Sequence, residues 1–252
     1  MDIAIVTGAS SGLGVAFVRA LLKEYKNLDE IWVVARRKER LCQLKSELGN
    51  KLHVIALDLI KPQSIAEFEQ TLCQQKPNIK ILINNAGFGK LDYFKEMPYS
   101  LMDDMIELNC RALTDLISVC LKYMQKNALI LNVSSIAAFA PNTRLTVYSA
   151  TKSFILSLSR GLRKELRPQK INVLAVCPGP MSTEFLSVAN ITAGRSKAFD
   201  KLPYCNPEKV ALGALKKAKK GGAVYTPRII YKLYYLLAKF LPMELAMNIG
   251  KA

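Results

Sequence analysis

The run Thr7-Gly8-Ala9-Ser10-Ser11-Gly12-Leu13-Gly14 follows a short apolar stretch, Ile3 to Val6, and precedes an apolar stretch with helical spacing. Strand, glycine-rich turn, helix is the arrangement in which a backbone can approach a phosphate closely. The helix start offers unpaired N–H groups and the positive end of its dipole. A plain connecting loop has no need of three glycines among small residues. The turn therefore predicts a βα unit built to hold a pyrophosphate, with Gly8, Ser10, Ser11, Gly12, Leu13 and Gly14 as the contact candidates.

The rest of the chain repeats that unit. Strand candidates are Ile3–Thr7, Glu30–Ala35, Leu52–Leu57, Ile79–Asn84, Ala128–Ser134, Ile171–Cys177 and a short Ala223–Thr226. Helical stretches alternate with them, including one long helix from about Tyr99 to Met124 and another from Val147 to Leu166. The strands are near-continuous apolar runs, as expected for strands covered on both faces in a parallel sheet. The predicted fold class is α/β: a doubly wound parallel sheet of Rossmann type, about seven strands with helices on both faces. No repeat or linker divides residues 1–252, so one domain is expected, with an extension from about residue 228.

Composition excludes several classes. Half of the residues are hydrophobic and 22% are charged, which argues against disorder. His53 is the sole histidine, so a multi-histidine metal site is excluded and no metal is expected. It opens an apolar run and reads as a strand-edge residue rather than a hydrolase base. Six cysteines form no C-x-x-C pair and read mostly as buried, reduced thiols. No basic, apolar leader follows Met1, and no run of about 18 apolar residues occurs, so a cytoplasmic location is expected.

Further motifs follow the turn in order. Asn84-Asn85-Ala86-Gly87 ends the fourth strand, and Tyr148-Ser149-Ala150-Thr151-Lys152 opens a helix. Ser135 lies thirteen residues before Tyr148, Asn109 sits in the long helix, and Pro178-Gly179 is followed by Thr183. Together with the T-G-x-x-x-G-x-G turn, this pattern resembles the short-chain dehydrogenase/reductase family over residues 7 to 183. The resemblance implies a hydride-transferring oxidoreductase with Asn109, Ser135, Tyr148 and Lys152 as the catalytic set. It implies cofactor contacts at Asn85, Ala86, Gly87, Tyr148, Lys152, Pro178, Gly179 and Thr183, and at Asp58 and Leu59 after the third strand. Tyr148 is then the proton donor or acceptor, and Lys152 lowers its pKa and holds the nicotinamide ribose. Ser135 holds the substrate oxygen, and Asn109 organises a relay water. One departure stands in Ser134-Ser135-Ile136-Ala137-Ala138, where Ala138 replaces a common family glycine.

The second strand ends in Ala35-Arg36-Arg37, with no acid to bond ribose hydroxyls. Two guanidiniums suit a 2′-phosphate, so NADP(H) is the expected cofactor, held by Arg36 and Arg37. Phe88, Phe94, Ile136, Phe139, Met181, Phe185 and Leu186 follow motif ends and suggest an apolar pocket. The stretch Pro180 to Asn206 is the substrate loop, with Gly194 as a hinge and Arg195, Lys197 and Lys201 as basic groups beside Asp200 and Glu184. The expected partner is a small hydrophobic substrate, a ketone or secondary alcohol with an anionic tail, such as a hydroxysteroid, a bile acid or a 3-oxoacyl thioester. A homodimer or homotetramer is expected. The formal charge of +16 leaves a nucleotide-sensing or RNA-binding protein on the same fold as an alternative, although no nucleic acid is expected. Residues 216–252 carry a net +7. Within them, Arg228 to Pro242 mixes aromatic, basic and aliphatic residues. Tyr231, Tyr234, Tyr235 and Leu236 are predicted to cover the substrate crevice or a subunit interface, in preference to a membrane surface, with Lys232 and Lys239 toward solvent.

Overall fold

The structure, a computed structural model, describes residues 1–191 and 202–249. Its strands are β1 (Asp2–Thr7), β2 (Glu30–Ala35), β3 (Leu52–Ala56), β4 (Asn78–Asn84), β5 (Met124–Val133), β6 (Asn172–Val176) and β7 (Val224–Tyr225). All pairs are parallel, in the order β3-β2-β1-β4-β5-β6-β7. The doubly wound sheet predicted from the sequence is thus present with seven strands. Its order reverses between β1 and β4, and the connections after those strands splay apart there and leave a crevice at their carboxyl ends.

The helices are α1 (Gly12–Glu24), α2 (Lys38–Leu48), α3 (Pro62–Gln75), α4 (Tyr99–Ile106), α5 (Leu113–Leu121), α6 (Thr146–Glu165), α7 (Glu184–Val188), α8 (Pro207–Lys219), α9 (Ile229–Phe240) and α10 (Met243–Ile249). The apolar strands serve both faces by alternation. Ala4, Val6 and Val33 pack with residues of α1, α2 and α8. Ile3, Ile5 and Trp32 pack with residues of α3, α5 and α6. His53 lies on edge strand β3, 5.3 Å from the Trp32 ring and 3.5 Å from Glu30, as a strand-edge histidine should.

Two sequence expectations are corrected, and the departure at Ala138 is accounted for. The long helix Tyr99–Met124 is broken by a π-helical segment, Glu107–Ala112, and stops at Leu121, while Met124 opens β5. The hydrophobic period runs through the π segment, so periodicity could not reveal it. The cysteines divide evenly: Cys120, Cys177 and Cys205 are buried, Cys42 and Cys73 are exposed, and Cys110 is intermediate. Ala138 sits in a short 3-10 turn, Ile136–Ala138, with no positive φ, so a glycine is not needed there.

Candidate active site

The turn between β1 and α1 is shaped by backbone that only glycine adopts without strain. Gly8 and Gly12 have φ of +65° and +53°. Thr7 fastens this turn to the end of β4. Its Oγ1 accepts hydrogen bonds from the backbone N–H of Asn85 and of Ala86, each at 3.0 Å. Asn85 Nδ2 donates back to the Thr7 and Gly8 carbonyls at 3.0 and 3.2 Å. The residues Asn85-Ala86-Gly87 therefore act as a wall for the turn. Thr7 was not among the candidates read from the sequence, although a hydroxyl at a strand end before a glycine turn was the available signal.

A cavity of about 640 Å³ starts at this turn and runs under the carboxyl ends of the strands. Every predicted cofactor contact lines it except Gly14, which lies one turn into α1, behind Gly8. Arg36, Arg37, Asp58 and Leu59 border one end, and Ser135, Tyr148, Lys152, Pro178, Gly179 and Thr183 border the middle. Asp58 Oδ1 accepts from the Ile60 N–H at 3.3 Å, which sets the loop after β3.

The two arginines differ. Arg36 is exposed, with no hydrogen bond or ion pair among the described residues. Arg37 donates to both Glu184 oxygens at 2.8 Å and to the hydroxyls of Ser10 and Ser11. Arg40 also reaches Glu184, at 3.0 Å. Hydrogen bonding from Arg37, and further from Ser11 and Arg40, pulls the Glu184 carboxyl down to about 2. Glu184 thus straps the segment after β6 to the nucleotide turn, a link between residues 147 apart that no local pattern marks.

The catalytic candidates converge. Tyr148 and Lys152 are both buried on α6, with Lys152 Nζ 5.6 Å from the Tyr148 ring centre. Ser135 lies beside the Tyr148 hydroxyl, and its Oγ accepts from the Ala137 N–H at 3.1 Å. Ser134, the neighbouring serine, points inward and donates to the Lys152 carbonyl at 2.7 Å. Lys152 Nζ donates to the Val133 carbonyl at 2.9 Å. The other N–H groups of this ammonium have no partner among the described residues. Burial pulls Lys152 down to about 8.

Burial also pushes the Tyr148 phenol up to about 12, against the opposing pull of the neighbouring Ser135. This is opposite to the direction inferred from the Tyr-x-x-x-Lys spacing, because loss of solvation is the largest cause. Asn109, inside the π segment, is fully buried. Its amide donates to the Phe88 carbonyl at 2.8 Å and to Thr151 Oγ1 at 3.0 Å, and accepts from the Phe88 N–H at 3.1 Å. The side chain is therefore occupied in holding the loop after β4 against α6. A π segment at a cavity wall is a common functional device.

The substrate end is apolar. Phe88, Ile136, Met181, Phe185 and Leu186 line it as predicted, and Phe185 lies 5.7 Å from the Tyr148 ring. Phe94 and Phe139 do not. Phe94 is exposed on a short 3-10 turn, and Phe139 is buried against Tyr235 at 4.8 Å. The ends of the substrate loop meet through a Met181–Cys205 bridge, with the Cys205 N–H donating to the Pro180 carbonyl at 2.7 Å. Gly194, Arg195, Lys197, Asp200 and Lys201 lie outside the described residues.

The tail prediction holds in part. Tyr231 and Tyr234 line the cavity, and Lys232 and Lys239 are exposed. A Cβ on Gly179 would lie 2.2 Å from the Tyr231 ring, so this glycine lets α9 close on the cavity. Tyr235 instead packs on Phe139 and hydrogen-bonds with Arg160, and Leu236 is exposed. Leu236 lies on the opposite side of α9 from Tyr231.

Paired hydroxyls beside a buried ammonium can hold a carbonyl or alcohol oxygen and exchange a proton with it. Comparison with known proteins agrees with this constellation. The sequence profile of the short chain dehydrogenases matches residues 2–193. A serine 3-dehydrogenase of Rhizobium radiobacter is 32% identical over 203 residues, 79% of this chain and 78% of that protein. An NADP-dependent 3-hydroxy acid dehydrogenase of Escherichia coli K12 is 32% identical over 190 residues, 74% of this chain and 75% of that protein. A short-chain dehydrogenase from Sphingobium yanoikuyae, solved in complex with NADPH, superposes with a TM-score of 0.78 at 28% identity, covering 96% of this chain and 97% of that one. The turn, the serine–tyrosine–lysine cluster and these similarities agree, and the chain belongs to the short-chain dehydrogenase family.

Proposed function

We propose that the protein is an NADP(H)-dependent oxidoreductase that interconverts a secondary alcohol and a ketone on a hydrophobic substrate. The observation that carries this reading is one continuous cavity joining the glycine turn to Ser135, Tyr148 and Lys152. The residues fit the dinucleotide: left-handed glycines open the turn, and the buried Lys152 lines the cavity. Gly8, Ser10, Ser11, Gly12 and Leu13 would hold the pyrophosphate, with Gly14 allowing α1 to start close behind them. Arg36 would take the 2′-phosphate, assisted by Arg37. Asp58 and Leu59 would flank the adenine. Asn85, Ala86, Gly87, Pro178, Gly179 and Thr183 would enclose the nicotinamide half.

When bound, the nicotinamide supplies or accepts the hydride. The chain supplies position and a proton. In the reducing direction Ser135 donates a hydrogen bond to the carbonyl oxygen, and Tyr148 protonates that oxygen as negative charge develops on it. A phenol kept neutral by burial suits this donor role. The positive charge of Lys152 favours the phenolate left behind and so lowers the cost of the transfer. Asn109 keeps the Phe88 loop and α6 in register around the cluster. The apolar walls exclude water and bind a bulky carbon skeleton; hydroxysteroids and 3-oxoacyl thioesters are the substrate classes to try first.

The relatives named for serine and for 3-hydroxy acids favour a second reading, in which the substrate is a small 3-hydroxy acid. A panel of both classes, followed by NADPH absorbance, separates the two. Turnover of bulky ketones at lower KM than serine or short 3-hydroxy acids supports the first. The reverse order replaces it with the second. NADPH binding without turnover of any carbonyl would instead point to a nucleotide-sensing protein.

A further inference from the structure

We infer that α9 and α10 form a docking surface for an anionic lipid bilayer and hold the substrate cavity's mouth against it. The inner face of α9 is Tyr231, Tyr234, Tyr235 and Ala238, spaced i, i+3, i+4, i+7 and packed on the protein. Leu233, Leu236, Leu237 and Phe240 repeat that spacing two residues later, about 200° around the helix. All four are exposed, Phe240 at 78%. Ile229 at 75%, Ile230, Met243 and Leu245 extend the surface. A patch of this size on a helix that is already packed on its other side is the mark of an interaction site.

Charge selects the occupant. Arg228, Lys232 and Lys239 flank the outer stripe, α9 itself carries no acid, and Glu244 is the acid of α10. Lys239 Nζ lies 5.7 Å over the Phe240 ring, so the cation sits at the edge of the apolar stripe. A second copy on this face would bring like charges together in a chain of formal charge +16. An anionic bilayer pairs with the same cations and buries the stripe, as an interfacial amphipathic helix does. No helix among the described residues is long and apolar enough to cross a membrane, so the contact is one of lying on the surface.

The position gives the contact a use. Ile230 is exposed on the docking face and also lines the cavity, next to Tyr231 and Tyr234. A hydrophobic molecule dissolved in the bilayer would reach the cavity without crossing water.

The test is flotation of the full chain with vesicles of phosphatidylcholine, alone or mixed with phosphatidylglycerol. It reads binding without turnover, so its result is independent of the proposed reaction. Binding to the anionic vesicles should exceed binding to the neutral ones by at least about ten-fold at low salt and fall as salt rises. The triple variant Leu233→Ser, Leu237→Ser, Phe240→Ser should lose about ten-fold or more of that binding. Its circular dichroism and melting temperature should stay close to those of the parent, because all three side chains are exposed. Lys232→Glu with Lys239→Glu should abolish the preference for anionic vesicles. Absence of flotation with both vesicle types overturns the inference, as does undiminished flotation of the folded triple variant. A parent that does not float, but whose assembly becomes smaller on the triple substitution, assigns the face to a second copy.

Discussion

Arg37 and Glu184 form a two-pronged pair, both carboxylate oxygens 2.8 Å from guanidinium nitrogens, that ties the segment after β6 to the glycine turn after β1. The same arginine bonds Ser10 and Ser11. One side chain therefore touches the phosphate turn and the start of the substrate loop together. A carboxyl held near 2 stays ionised through the ordinary carboxylate range. The clasp is present at neutral pH and is lost as pH falls from about 4.5 toward about 2. Glu184→Gln should lower stability at pH 7 by no more than about 1 kcal/mol, since the pair is partly exposed. Melting curves of parent and variant should converge as pH falls through that window; a gap that widens on acidification would refute the assignment.

Cofactor selection should fall mainly to Arg36. Arg37 is already engaged by Glu184, whereas Arg36 is exposed at the end of β2. Arg36→Ala should weaken NADPH by about ten- to a hundred-fold and change NADH little. Fluorescence titration with both cofactors measures this. Equal losses for NADPH and NADH would place the 2′-phosphate elsewhere.

Tyr148→Phe removes the proposed proton donor and leaves the buried ring in place. Turnover should drop by about 10²- to 10⁴-fold while NADPH affinity changes little. Substantial turnover by this variant would mean that another group gives the proton.

Lys152 should carry a stability cost for its function. Its folded pKa, about 8, lies below the ordinary 10.5. Between those values the unfolded chain binds more protons, so stability rises with pH across the window. Lys152→Met should remove that rise and raise the melting temperature at pH 7, while turnover falls by about 10²-fold or more. Parallel pH–stability curves for the two proteins would contradict the buried-ammonium reading.

Gly179 and Tyr231 should be coupled. A methyl at Gly179 meets the tyrosine ring at 2.2 Å and forces α9 outward. Gly179→Ala should cost about 1–3 kcal/mol and raise KM for bulky ketones. Adding Tyr231→Ala should cost less than the two single changes together. Strict additivity in denaturant titrations would show that the contact does not matter. Truncation after Thr226 should likewise raise KM for bulky substrates more than for small ketones.

The seven strands were readable because each is a nearly unbroken apolar run between turn residues, a signal carried by neighbours in sequence. The glycine turn, Asn85-Ala86-Gly87, Ser135, Tyr148 and Lys152 were readable for a related reason. Each sits just after the carboxyl end of a strand or in the first two turns of a helix, where local spacing places it. The π segment around Asn109 was not readable, because it alters hydrogen bonding by one residue without altering the apolar period.

The sequence by itself determined the sheet, the order of its strands' helices and the residue types brought to the crevice, since these follow from periodicity and turn chemistry. Only the tertiary structure decided that Glu184 meets Arg37 across 147 residues, that Gly179 receives the Tyr231 ring, and that α9 turns Leu236 outward. It also decided the sign of the Tyr148 shift, because desolvation depends on everything packed around a group and not on its neighbours in the chain.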